Sequence, residues 1–220
     1  MKIALYILVC SLSYISSNAQ VKSLELSHYV FPDFIHGDVL MKNGNKYKAW
    51  LNYSAMLEEM VFEDGGKRLA INEEQLELID TIYIKGRKFF TSNNKFLELL
   101  NRSKFDFYAE YKYHIKSPAA ISGPGRTSQT VHNTSYSTLN ASNMGSLMYD
   151  LVLPDDYKVK PYTYYWLKKN GKLSKFKNLK QLIKFYSIRK SLCKEYIKTH
   201  DIEFNDQKSI VQLIRYMEVD

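Results

Sequence analysis

Gly37-Asp38-Val39-Leu40-Met41-Lys42-Asn43-Gly44-Asn45-Lys46-Tyr47-Lys48-Ala49-Trp50-Leu51-Asn52-Tyr53-Ser54 is the stretch that sets the architecture of this chain. Two strand-like runs flank the turn residues Asn43-Gly44-Asn45, a strong hairpin signal. In the second run Tyr47, Ala49, Leu51 and Tyr53 alternate with Lys46, Lys48 and Asn52. A period of two gives one core face and one wet face. Trp50 breaks that polarity and is expected to be buried on the second side of the sheet. The same grammar recurs downstream. Residues 57–64 and 67–71 flank Gly65-Gly66, residues 79–84 and 87–91 are split by Lys85-Gly86, and 96–100 is followed by 105–115. Asn72-Glu73-Glu74 opens a short polar turn or helix between them. Short strands at regular spacing with turn signals predict an antiparallel meander, curled or forming a small open barrel.

Composition agrees with a folded, β-rich chain. The 220 residues are 45% hydrophobic and include 18 tyrosines, which argues against disorder or a coiled coil. Nine glycines and five prolines exclude a collagen-like chain, and two cysteines exclude a disulfide scaffold. A mean hydropathy of −0.36 excludes a polytopic helical membrane protein.

The first 19 residues read as an address. Met1-Lys2 is a short positive start, residues 3–15 are an apolar run, and Ser17-Asn18-Ala19 presents small residues for cleavage before Gln20. Cys10 follows Val9 inside the apolar run, which does not suit lipidation. It would leave with the signal peptide, so Cys193 alone remains and no internal disulfide is expected. Between Leu192 and Lys194 in a helical pattern, Cys193 reads as a small buried side chain.

The later organisation is a β-rich region at 20–116, a polar Ser/Thr/Asn/Gly loop at 117–147, further strands completing the sheet at 148–176, and a helical cluster at 177–220. Strands are expected at 149–153 and 161–169, with Asn170-Gly171 turning into 172–176. Leu179, Leu182, Ile183 and Tyr186 hold one helical stripe, and Ile210, Leu213, Ile214 and Met217 another. Ile188, Leu192, Tyr196 and Ile197 suggest a third between them. Asn205-Asp206 supplies a capping start for the last helix. The fold class is therefore α+β: an antiparallel meander or partial barrel followed by a small helical cluster.

Charge is strongly segregated. Residues 20–156 carry 15 Lys/Arg and 17 Asp/Glu, while residues 157–200 carry 13 Lys/Arg against the single acid Glu195. A net +12 in 44 residues creates a positive local potential. Tyr162, Tyr164 and Trp166 lead directly into Lys168, Lys169, Lys172, Lys175, Lys177, Lys180 and Lys184. These ten residues form the candidate partner-binding face. As exposed charges, the lysines are expected to contribute little to folding.

Catalytic patterns are sparse. The five histidines are not paired at zinc spacing, and no HExxH, GxSxG, P-loop or dinucleotide-binding glycine pattern occurs. The Ser-x-x-Lys tetrads beginning at Ser174, Ser187 and Ser191 follow from the density of lysine and lack the companion motifs of serine acyl transfer. No catalytic residue, metal or cofactor is expected.

A resemblance adds to this reading. It is carried by the signal ending Asn18-Ala19-Gln20, by His36-Gly37-Asp38-Val39-Leu40-Met41-Lys42-Asn43-Gly44, and by Ala49-Trp50-Leu51-Asn52-Tyr53-Ser54 with Glu58-Glu59-Met60-Val61-Phe62. Tyr83-Ile84-Lys85-Gly86-Arg87-Lys88-Phe89-Phe90, Ser128-Gln129-Thr130 and the lysine-rich helical tail complete it. Together these resemble a group of uncharacterised exported proteins of Bacteroidota. The resemblance implies a periplasmic address, at the inner face of the outer membrane, and brings no catalytic residues.

The expectation is then a non-catalytic accessory protein that docks on an outer-membrane or periplasmic protein complex as part of a hetero-oligomer. Edge-strand addition and the basic helices are its physical means. Anionic lipid headgroups or glycans are further partners, and nucleic acid is not, given export. The alternative is a small-ligand binder for a glycan or lipid, using a cupped, tyrosine-rich sheet. A convergent cavity lined by Trp50, Tyr53 or Trp166 would favour it, whereas a filled interior would favour docking.

Overall fold

The computed structural model describes residues 28–116 and 158–219. The segments expected to be a signal peptide (1–19), a polar loop (117–147) and a strand (149–153) lie outside the described residues. The elements are β1 (Ile35–Met41), β2 (Lys46–Ser54), β3 (Glu59–Asp64), β4 (Lys67–Ala70), α1 (Glu73–Leu78), β5 (Ile79–Ile84), β6 (Arg87–Ser92), β7 (Lys95–Arg102), β8 (Asp106–Lys116), β9 (Lys158–Lys169), β10 (Lys172–Phe176), α2 (Leu179–Phe185), α3 (Lys190–Thr199) and α4 (Gln207–Glu218). The fold is α+β, as the sequence pattern implies.

All ten strands join one antiparallel sheet in the order β10-β9-β8-β7-β6-β5-β1-β2-β3-β4. Local turns explain most of that order. Asn170-Gly171 and Lys85-Gly86 have positive φ at both positions, the geometry that matches strand twist in two-residue hairpins. One junction departs from a plain meander. After β4, α1 returns the chain so that β5 pairs with the free side of β1. Asn72 and Gln75 close a reciprocal cap at the start of α1, and Lys42 N donates to Leu78 O at its end (2.9 Å). Gly37 permits the close approach of β1 to β5, because a Cβ there would lie 2.6 Å from the Tyr83 carbonyl oxygen.

The sheet is curled. Tyr53 on β2 stacks on Phe89 of β6 at 6.1 Å and meets Phe96 of β7 edge-on at 6.4 Å. In a flat sheet the four strand spacings from β2 to β7 would separate them by about 19 Å. Curling encloses one hydrophobic cluster, with Leu51, Tyr53, Met60, Ile82, Ile84, Phe89 and Phe96 at its centre. The sheet remains open, with β10 and β4 as its edges. Farther along the same face, Phe107, Ala109, Tyr165, Leu167 and Phe176 bury against α2, α3 and α4. The buried stripe of α4 is Ile210, Leu213, Ile214 and Met217, and Asp206 caps its start by accepting from Lys208 N (3.0 Å). Tyr111 packs against both clusters.

Three expectations need correction. Trp50 is 47% exposed rather than buried, since the layer over its side of the sheet there is only His36 and Glu63, its direct neighbours. Tyr47 is 56% exposed, because β3 pairs only with the second half of β2. Ile188 is wholly exposed, at 100%, and belongs to no helical stripe. It sits in a tight turn, Ser187–Arg189, where Arg189 donates to the Met217 and Val219 carbonyls and so separates α2 from α3.

Candidate functional site

The aromatic and basic residues singled out in the sequence meet an acid on β8. Register places Glu110 opposite Tyr164, Tyr108 opposite Trp166, and Trp166 opposite Lys175, so these side chains share the sheet face away from the helices. Glu110 is only 1% exposed. Its Oε2 accepts from Lys175 Nζ (2.7 Å) and Trp166 Nε1 (2.8 Å). Its Oε1 takes Lys95 (3.2 Å) and Lys112 (3.3 Å). Glu58, in the left-handed region at φ 62°, bridges Lys95 (2.9 Å) and Lys112 from the β2–β3 turn. Burial by itself would raise the Glu110 pKa. The bonds from Lys175 and Trp166 and the charges of Lys112 and Lys175 outweigh it, and the carboxyl is held at about 2 rather than 4.5. Lys95 is raised in turn: burial opposes its charge, but Glu58 and Glu110 overcome that.

Aromatic rings complete this cluster. Lys175 Nζ lies 4.3 Å from the Tyr164 ring centre and 5.0 Å from Trp166, and Lys177 lies 5.5 Å from Tyr164. His114 stacks on Tyr162 at 4.0 Å, and Tyr162 meets Tyr164 at 5.0 Å. Tyr162, Tyr164, Trp166, Lys175 and Lys177 are therefore together. Lys168, Lys169 and Lys172 stand exposed around the β9–β10 turn, with Lys169 over Phe105 at 5.2 Å. Lys180 and Lys184 are exposed on α2, on the opposite side of the sheet. For Lys175 the expectation of little contribution to folding gives way: its ammonium is locked to a buried carboxylate, and reversing its charge would set two carboxylates against each other.

A second constellation was not anticipated. Between the two hydrophobic clusters lies an open cleft of about 1020 Å³. Its floor is an ion pair between the buried Glu98 and the half-buried Arg87: Arg87 Nε donates to Glu98 Oε1 (2.7 Å) and Nη2 to Oε2 (2.6 Å). Tyr111 donates its hydroxyl to Glu98 and lies 3.2 Å from Gln207 Oε1. The guanidinium also sits 4.6 Å from the Phe31 ring centre and 5.3 Å from that of Tyr111. Burial opposes the Arg87 charge, but Glu98 and Tyr111 more than compensate and its pKa is raised. Burial first, and the Glu98 charge second, push the Tyr111 phenol well up. Its lining includes one side of α4 together with Val30, Lys112, Tyr113 and Pro161 from the sheet side. No family model, no curated protein and no solved structure matches the chain.

Sequence reasoning missed this cleft because its parts come from segments scattered between Tyr29 and Arg215. One signal was present. Glu98 interrupts Phe96-Leu97-Glu98-Leu99-Leu100, and a charge inside an apolar strand demands a buried partner. The residues proposed as cavity markers lie elsewhere. Tyr53 is in the filled core, Trp166 is bound to Glu110, and Trp50 lies tilted against His36 at 3.8 Å on the surface. Cys193 is buried, which pushes its thiol up to about 11. Ser187, Ser191 and their lysines stand exposed on the helical layer. Among the described residues, no cluster of His, Cys, Asp and Glu is arranged for a metal ion, and no helix is long and apolar enough to cross a membrane.

His28, beside the cleft residue Tyr29, gives a pH prediction. Its Nε2 is buried with no hydrogen-bond partner, and its ring lies 4.3 Å from that of Tyr29. Burial, then the charge of Arg68, lower its pKa from 6.5 to about 4. Between those values the unfolded chain binds the proton and the folded chain does not, so stability falls as pH falls. The limb should cost about 3 kcal/mol in full. Urea unfolding of wild type and His28→Leu at stepped pH should show the slope between pH 6.5 and 4 reduced in the variant; equal slopes would contradict it.

Proposed function

We propose that the protein is a non-catalytic accessory component of a bacterial envelope, exported to the periplasm and held at the inner face of the outer membrane by docking on a protein complex. The observation that carries this reading is the open cleft of about 1020 Å³ between the curled sheet and α4. It is at the large end of small-molecule sites, and it is open to solvent rather than an enclosed cavity. The neighbouring interior, where a glycan or lipid would sit in a cupped sheet, is filled by Leu51, Tyr53, Met60 and Phe89.

Edge-strand addition is the weaker means of docking. The edges are only four and five residues long, Lys67–Ala70 and Lys172–Phe176. Both carry basic residues, the usual protection of an edge against pairing. The lysine-aromatic face of β9 and β10 is also engaged internally, through Glu110. Cross-linking mass spectrometry on native envelopes tests the reading. Heteromeric links from residues bordering the cleft are expected, and recovery of monomer alone would overturn it.

A further inference from the structure

The cleft is unbalanced in its hydrogen-bonding capacity. Of its carboxylates, Glu98 accepts from Arg87 and Tyr111, while Asp206, exposed at the start of α4, accepts from the backbone of Lys208 through Oδ1. Its donors are not exhausted. Arg87 keeps an Nη1 that bonds no carboxylate, and Lys208 and Arg215 have no carboxylate partner among the described residues. Gln207 meets Tyr111 only through its Oε1, which leaves the amide nitrogen to the cleft. Gln212 is exposed beside them. An entering group therefore meets cations and amide donors.

The polarity is also one-sided. Lys208, Gln212 and Arg215 follow i, i+4, i+7 spacing and so share one face of α4, outside its buried stripe. The seven steps from Lys208 to Arg215 rise about 10 Å along the helix. That lies between the same-face spacings of an extended chain, about 7 Å for i, i+2 and about 14 Å for i, i+4, a difference that the long Lys208 and Arg215 side chains can span. Other lining residues, Val30, Tyr113 and Pro161, offer partly or fully exposed apolar and aromatic surface. An extended peptide alternates its side chains with period two, so it can turn acids to α4 and apolar groups to that surface. A glycan, with hydroxyls on both sides, suits this asymmetry less well.

We infer that the cleft binds an extended segment of a partner protein in which acidic and apolar residues alternate. The inference rests on the docking reading above and names the chemistry of that same site. Lys208 and Arg215 hold the carboxylates, Gln207 and Gln212 pair with the peptide backbone, and Val30, Tyr113 and Pro161 cover the apolar side chains.

The test uses the full chain and a fluorescent twelve-residue peptide of repeating Glu-Val, measured by fluorescence anisotropy at low and moderate salt. Saturable binding is expected, and affinity should fall about tenfold or more in the Lys208→Glu, Arg215→Glu double variant. A Lys208→Gln, Arg215→Gln variant should lose less. Lys180→Glu with Lys184→Glu, on the other side of the sheet, should leave binding unchanged. Melting curves of each variant verify folding, which exposed charges should scarcely alter. A repeating Lys-Val peptide and oligogalacturonate serve as comparisons. No binding of the Glu-Val peptide, equal losses in both charge-reversed variants, or tighter binding of oligogalacturonate would overturn the inference. Heteromeric cross-links in native envelopes, obtained despite such a failure, would leave docking standing and remove only the acidic-segment chemistry.

Discussion

Replacing Glu110 by glutamine should cost about 3 kcal/mol of folding stability, the loss typical when one member of a buried ion pair is removed. Lys95, Lys112 and Lys175 would then face one another with Glu58 as the remaining carboxylate. For a chain of this size the melting midpoint should drop by about 10 °C. The effect has a pH signature as well. The folded carboxyl titrates at about 2 and the unfolded one near 4.5. Its contribution is therefore complete above 4.5 and lost as pH falls toward 2. Denaturant unfolding of wild type and Glu110→Gln across that range should show the gap closing at low pH. A variant within about 0.5 kcal/mol of wild type at neutral pH, the range of ordinary surface changes, would contradict the proposed role of the cluster.

The second large effect concerns the floor of the cleft. Arg87→Met strands the buried Glu98 and should cost about 3–5 kcal/mol, whereas Glu98→Leu leaves Arg87 with partial access to solvent and should cost less. The double variant removes both charges and should recover to within about 1 kcal/mol of wild type, because a buried pair is often no better than well-packed apolar groups. Tyr111 would not be left without a partner, since Gln207 lies 3.2 Å from its hydroxyl. Urea midpoints of the four proteins form a double-mutant cycle with a coupling of several kcal/mol, well beyond the reach of independent sites. Additive single losses would show that the pair does not act as a unit.

The turns explain why so much of the fold could be read from the chain. Asn43-Gly44, Lys85-Gly86 and Asn170-Gly171 each fix a hairpin locally, and period-two alternation fixes which side chains share a face. Alternation does not say which strand lies on the far side of another. The pairing of β1 with β5, made through α1, was for that reason not foreseeable. The exposure of Trp50 and Ile188 has the same origin, because burial depends on what lies above a residue and not on its own polarity.

The candidate site shows the same division. Tyr162, Tyr164 and Trp166 form a legible same-face run, but the acid that organises them, Glu110, arrives from the neighbouring strand through register alone. The cleft needed still more distant parts. Arg87 and Glu98 share one hairpin, whereas Gln207, Lys208 and Arg215 come from the last helix. A charge isolated in an apolar strand was the one trace of this arrangement in the sequence.

Site-specific photo-cross-linking in native envelopes addresses the docking role most directly. A photoreactive residue at Gln212, on the cleft wall of α4, should give a discrete heteromeric adduct on irradiation. The same group at Lys180, exposed on α2 away from the cleft, should give none. Adducts of equal yield at both positions, or monomer alone at Gln212, would contradict the cleft as the docking surface.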